Sequence, residues 1–122
     1  MLPATSLVTV TDETFADLVL ASDRPVVLDF WAEWCPHCKS VSRNLADLAV
    51  EFGDRLRIAT INYDEHPVTG RAYRVMSLPT LLIFRDGELA GGVVGARPKS
   101  QLRQLLSTYV EGRAPTISSM SP

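Results

Sequence analysis

Val26-Val27-Leu28-Asp29-Phe30-Trp31-Ala32-Glu33-Trp34-Cys35-Pro36-His37-Cys38 is the stretch on which the fold turns. Its first six residues are almost continuously apolar, as a strand covered on both faces requires. From Pro36 the period changes. Apolar residues recur at Val41, Leu45, Leu48, Ala49 and Phe52, a single helical stripe that Gly53 ends. Cys35 and Cys38 are the only cysteines in the chain, and they stand two residues apart at the junction. A Cys-x-x-Cys between a strand and a helix reads as a dithiol–disulfide exchange centre. One sulfur attacks a partner's disulfide and the other then releases it.

On the N-terminal side, Leu7-Val8-Thr9-Val10 alternates as a short strand does. Asp12 is placed to cap a helix that carries Phe15, Leu18 and Val19 on one face, and Arg24-Pro25 breaks that helix. On the C-terminal side, Leu56–Ile61 is the next strand, and Pro67 suits the first turn of a helix reaching Tyr73. Thr80–Phe84, the turn Arg85-Asp86-Gly87 and the weaker strand Glu88–Val94 read as a hairpin, with a bulge or bend at Gly91-Gly92. Pro98 opens a last helix with Leu102, Leu105, Leu106 and Tyr109 inward. The order β-α-β-α-β-α-β-β-α predicts an α/β fold, a central mixed sheet flanked by helices on both faces. One domain spans residues 1–110. The tail, residues 111–122, is Ser- and Pro-rich from Gly112 and is expected to fray.

At 122 residues the chain is long enough for its own core. A net charge of −2 gives no reason to expect nucleic acid or an anionic membrane as partner. No apolar run approaches the ~20 residues that span a bilayer, and the first six residues lack the charged and apolar regions of a signal peptide. The expected location is therefore the cytoplasm, where a purely structural disulfide would be out of place.

Several separated motifs resemble the thioredoxin family over about residues 7–110: Asp29-Phe30-Trp31-Ala32-Glu33-Trp34-Cys35, Cys38-Lys39, Asn62-Tyr63-Asp64, Leu78-Pro79-Thr80, Phe84-Arg85-Asp86-Gly87-Glu88 and Val94-Gly95-Ala96. The resemblance implies the thioredoxin fold, disulfide oxidoreductase activity, and Pro79 as a cis-proline beside the active site. It places Asp29 behind Cys38 as the base for the resolving thiol, and it pairs Trp31 with Asp64, whose carboxylate would accept the indole N–H. The sequence departs from the family's pattern at three places. Pro36-His37 replaces the usual Gly-Pro, Thr60 stands where a lysine usually accompanies the buried aspartate, and Arg43 stands where a proline usually kinks the helix.

The chemistry follows from the residue types. Cys35 at the N-cap, with Pro36 at N1, would have the helix's free N–H groups and dipole pointing at its sulfur, which favours the thiolate nucleophile. Cys38, one turn further in, would be shielded and would act as the resolving thiol. His37 can stabilise the neighbouring thiolate; the blander reading is an exposed helix residue. Buried without a partner, Asp29 should have a raised pKa. Trp34 would offer apolar area to a target. A cis bond at Leu78-Pro79 would explain a proline in a strand-like setting and leave backbone beside it for an extended target segment, with Gly95 and Ala96 completing the groove.

No metal is expected, because structural zinc wants four N/S ligands and only His37 and His66 could join the cysteines. A cluster bridged between two chains stays an alternative. The chain has no Gly-x-Gly-x-x-Gly, so no cofactor is expected beyond the Cys35–Cys38 disulfide itself. The expected protein is a monomer that reduces protein disulfides and is recharged by an NADPH-linked flavoprotein, thioredoxin reductase. The alternatives are a more oxidising disulfide oxidase or isomerase, and a non-catalytic binding module of the same fold.

Overall fold

A computed structural model describes residues 7–111. Its five strands are β1 (Val8–Thr9), β2 (Val26–Trp31), β3 (Arg57–Asn62), β4 (Thr80–Arg85) and β5 (Glu88–Val94). Its three α-helices are α1 (Pro36–Phe52), α2 (Pro67–Ala72) and α3 (Lys99–Val110). The strands form one sheet in the order β1-β3-β2-β4-β5. β3 runs parallel to both β1 and β2, and the hairpin strands β4 and β5 are antiparallel. This is the mixed α/β sheet that the alternation of patterns predicts.

β2 lies at the centre, and its side chains divide between two cores. Val27 faces α1 and α3, packed among Val41, Leu45, Leu48, Leu102 and Leu106. Val26, Leu28 and Phe30 face the opposite side, among Phe15, Val19, Val75 and Phe84. There Phe15, Tyr73 and Phe84 meet edge to face, with ring centroids 5.2–5.7 Å apart. Each large side chain buried this way contributes about 1.5–3 kcal/mol. The ion pairs joining α3 to α1, Lys99–Asp47 and Arg103–Glu51, are solvent-exposed and screened, so apolar contact rather than charge holds these helices together.

Local structure departs from the sequence expectations at several points. β1 keeps only Val8 and Thr9 of its four expected residues. The first helix is a π-helical turn, Ala16–Leu20. Its start is set not by Asp12 but by Thr11 and Thr14, whose hydroxyls each accept the other's backbone N–H. Asp12 instead accepts the N–H groups of Val68 and Thr69 and the Thr69 hydroxyl, at 2.8–3.1 Å. It therefore caps α2, whose opening residues Pro67 and His66 supply no side-chain cap. A 3-10 turn at Gly53–Arg55 delays β3 to Arg57, and α2 ends at Ala72. The tail beyond Glu111 lies outside the described residues.

The hairpin turn has positive φ at Asp86 (55°) and Gly87 (79°), which suits the twist of β4 and β5. The irregularity expected at Gly91-Gly92 is a bulge that lies one residue earlier. Ile83 pairs with Gly91 and Phe84 with Leu89, so Ala90 is the extra residue. Gly92 is required by close approach, because a Cβ there would stand 2.7 Å from the Leu81 carbonyl oxygen. That oxygen belongs to the neighbouring strand and cannot retreat without breaking the ladder. Gly92→Ala is expected to lower stability by about 1–3 kcal/mol. A urea titration should show a reduced midpoint with unchanged slope; an unchanged midpoint would mean that β5 yields freely.

Candidate active site

Strand register gathers the chemistry-bearing residues at one edge of the sheet. Trp31, the last residue of β2, pairs with Asn62, the last of β3, so Asp64 follows at that edge. Phe30 pairs with Thr80, the first residue of β4, which sets Pro79 opposite the end of β2. Thr80 in turn pairs with Val94, which brings Gly95 alongside Pro79. The carboxyl end of a parallel strand leading into a helix is where open α/β sheets place their ligands.

The Cys-x-x-Cys occupies that position. The Cys35 N–H donates to the Ala32 carbonyl at 3.2 Å, and Cys35 is the N-cap of α1, in extended geometry (φ −93°, ψ 106°). Pro36 enters the first turn, where its missing N–H costs nothing. Cys35 and Cys38 are joined by a disulfide, with Cα atoms 5.4 Å apart. Cys35 is 3% exposed and Cys38 1%. Both sulfurs of the oxidised pair are thus buried, and it is the N-cap position of Cys35 rather than exposure that sets it apart from Cys38. His37, between them, is exposed.

The tryptophan pairing differs from the expectation. It is Trp34, not Trp31, whose Nε1 donates to Asp64 Oδ2, at 2.9 Å. Strand alternation explains this. Trp31 lies on the same face of β2 as Val27 and Asp29 and packs beside α1, whereas Trp34 lies in the turn beyond the sheet. Asn62 Oδ1 accepts the N–H groups of Asp64 and Glu65 at 2.9 and 3.2 Å, and this turn presents the Asp64 carboxylate to Trp34. The Trp34 ring is held at its nitrogen yet 65% exposed, so it offers a fixed apolar face.

Asp29 is fully buried. Ser42 Oγ donates to its Oδ2 at 3.2 Å, and Oδ1 has no partner among the described residues. Burial pushes the Asp29 carboxyl up to about 7, while the Ser42 bond pulls it the other way. Sequence motifs do not single out Ser42. Its one signal is spacing: it is four residues beyond Cys38 and shares its helix face. Ser42 also lines a cavity of about 410 Å³ with Trp31, Cys38, Arg43 and Thr60. Two of the three sequence departures, Thr60 and Arg43, thus meet on one cavity behind the disulfide. With Arg43 in place, α1 runs unbroken from Pro36 to Phe52.

The Leu78-Pro79 bond is cis. The Pro79 carbonyl accepts the Gly95 N–H at 2.8 Å, which ties the two expected docking segments together and removes that carbonyl from the groups open to a target. Gly95 has φ 93°, a conformation side chains disfavour, and Ala96 is exposed beside it. Met76, which belongs to none of the sequence motifs, is 90% exposed and shares a second cavity, about 280 Å³, with Thr80 and the exposed Val94. His66 is the N-cap of α2 and takes no part in the site. Among the described residues no three His, Cys, Asp or Glu side chains group as a metal site, and no helix is long and apolar enough to cross a membrane.

Comparison with known proteins agrees with this geometry. The family model for thioredoxin matches residues 6–108. The thioredoxin of Acidithiobacillus ferridurans is 45% identical over 101 residues, 83% of this chain and 94% of that protein. The thioredoxin of Rhodospirillum rubrum is 45% identical over 101 residues, 83% and 97% of the two chains. That of Mycobacterium tuberculosis strain H37Rv is 44% identical over 101 residues, 83% and 87%.

Proposed function

The chain belongs to the thioredoxin family and is a thiol–disulfide oxidoreductase that reduces disulfides, and from that premise we propose how its residues divide the work. In the reduced protein, the Cys35 thiolate attacks a protein disulfide. A bond forms between Cys35 Sγ and one target sulfur, and the other target sulfur leaves with the electron pair and takes up a proton. Asp29 then accepts the Cys38 thiol proton. Cys38 Sγ attacks Cys35 Sγ, the second target sulfur departs, and two electrons have passed to the target.

The observation that carries this reading is the Cys35–Cys38 disulfide at the N-terminus of α1, with Cys35 as the N-cap. The positive end of the helix dipole favours the Cys35 thiolate, the form that attacks. Trp34, Leu78, Pro79, Gly95 and Ala96 form the surface on which an extended target segment docks. Asp64 braces it through Trp34. The electron source is an NADPH-linked flavoprotein reductase, and the cytoplasm is the compartment that keeps the dithiol reduced. Insulin is the test substrate: with NADPH and thioredoxin reductase, its chains should separate and precipitate. Failure of insulin to react with the dithiol form would overturn the reading.

Pro36-His37 favours a second shade of the same chemistry. An imidazole exposed beside the sulfur pair stabilises a thiolate more than a disulfide, which makes the oxidised form the stronger oxidant. Reduction potentials of such centres run from about −270 mV for typical thioredoxin to about −120 mV for a strong periplasmic oxidase, a span of ~7 kcal/mol. The potential of this protein is expected between those limits, measured by equilibration in glutathione buffers. A value at or below −270 mV, about that of a typical thioredoxin, would show that His37 does not tune the pair.

A further inference from the structure

We propose that Ser42 is a positioning residue whose hydroxyl fixes the pH at which Asp29 gives up its proton. The inference rests on the reading of Asp29 as the base for Cys38, and adds the group that governs that base.

Helix hydroxyls ordinarily bond to their own backbone. In α3, Ser107 and Thr108 donate back along their own helix, to the carbonyls of Arg103 and Gln104. Ser42, in α1, does not. Its hydroxyl is turned across to the sheet and donates to Asp29 Oδ2. It is the only donor Asp29 has among the described residues, since the second carboxyl oxygen is unpartnered. The surrounding elements offer no substitute. β3 sets Thr60 beside Asp29 and β4 sets Leu81, and neither titrates. From α1 come Cys38 and, on the cavity wall, the exposed Lys39 and Arg43. Burial is the larger influence on the carboxyl and raises it, and the Ser42 bond lowers it. A neutral hydroxyl thus does alone what a buried cation could do, and favours the carboxylate.

Ser42 is also half-buried on the cavity wall rather than sealed inside. It joins a carboxyl with no exposure to a space that opens to solvent.

Ser42→Ala removes one hydrogen bond to a charged group and leaves a good helix former. The Asp29 carboxyl carbon, followed by NMR through a pH titration of the oxidised protein, should then titrate about one pH unit higher, tenfold in its ionisation constant. The rate at which Cys38 resolves a mixed disulfide should move to higher pH by the same amount. Ser42→Thr should restore both profiles, and in an Asp29→Asn background Ser42→Ala should change the rate no further. An unmoved titration in Ser42→Ala overturns the proposal, as does a shift that Ser42→Thr fails to reverse. If instead the titration moves while Asp29→Asn resolves as fast as the wild type, the proposal stands and the reading of Asp29 as base falls.

Discussion

Replacing Cys38 by Ser leaves a protein that attacks a target disulfide once and stays attached to it, whereas replacing Cys35 by Ser leaves one that does not attack at all. Both variants should lose turnover on insulin by about four orders of magnitude or more, the scale on which deletion of a covalent nucleophile acts. Mass spectrometry under non-reducing conditions separates them. Cys38→Ser should accumulate a one-to-one adduct through Cys35, and Cys35→Ser should accumulate none. The asymmetry follows from position on α1. Cys35 is the N-cap of the helix, at the positive end of its dipole. An ordinary thiol has a pKa near 8.5 and is about 3% ionised at pH 7, and the positive end of a helix dipole favours the thiolate over the thiol. Cys38 is inside the first turn and lacks that cap. Adducts forming equally through either cysteine would refute the division of roles.

Asp29→Asn should stabilise the fold, and by an amount that depends on pH. The carboxyl is raised from 3.8 to about 7 by burial, so the folded state holds its proton more tightly than the unfolded state does. Below pH ~4 both states are protonated and no penalty arises. As pH climbs from about 4 to about 7 the unfolded chain ionises first, and stability is lost. Above that range the loss is constant. The displacement is about three pH units, an upper limit of ~4 kcal/mol at 1.36 kcal/mol per unit. Asparagine is neutral throughout, but its amide still has to be satisfied, so the gain expected at pH 8.5 is about 2–4 kcal/mol, vanishing near pH 4. Urea unfolding at the two pH values checks this. A gain of equal size at both would mean that it comes from packing rather than ionisation. The same substitution should slow release of the target from Cys35, since the Cys38 proton loses its acceptor.

Sequence periodicity carried most of the fold. β2 was legible because a strand covered on both faces needs no alternation, and α1 because its apolar stripe runs unbroken to Gly53. The disulfide pair and Pro79 were legible from residue type and setting. What escaped was long-range or directional. Asp12 satisfies the rule for a local helix start, yet its partner helix lies 56 residues on, and no local pattern reports that distance. Trp31 and Trp34 are three residues apart, and only the end of the strand's alternation decides which one reaches Asp64. Ser42 sat in view at four residues beyond Cys38, but a helical serine ordinarily binds its own backbone, and only the fold shows that it does not.

The two margins of the sheet bear on how the molecule behaves at high concentration. An outer strand with a straight row of free amides and carbonyls is a template onto which another chain can zip, the first step toward a fibril. Here one margin is β1, two residues long, and the other is β5, thrown out of register at Ala90. Neither offers a ladder long and regular enough to extend. Margins of this kind give a second chain little to zip onto, whatever segments the molecule meets elsewhere.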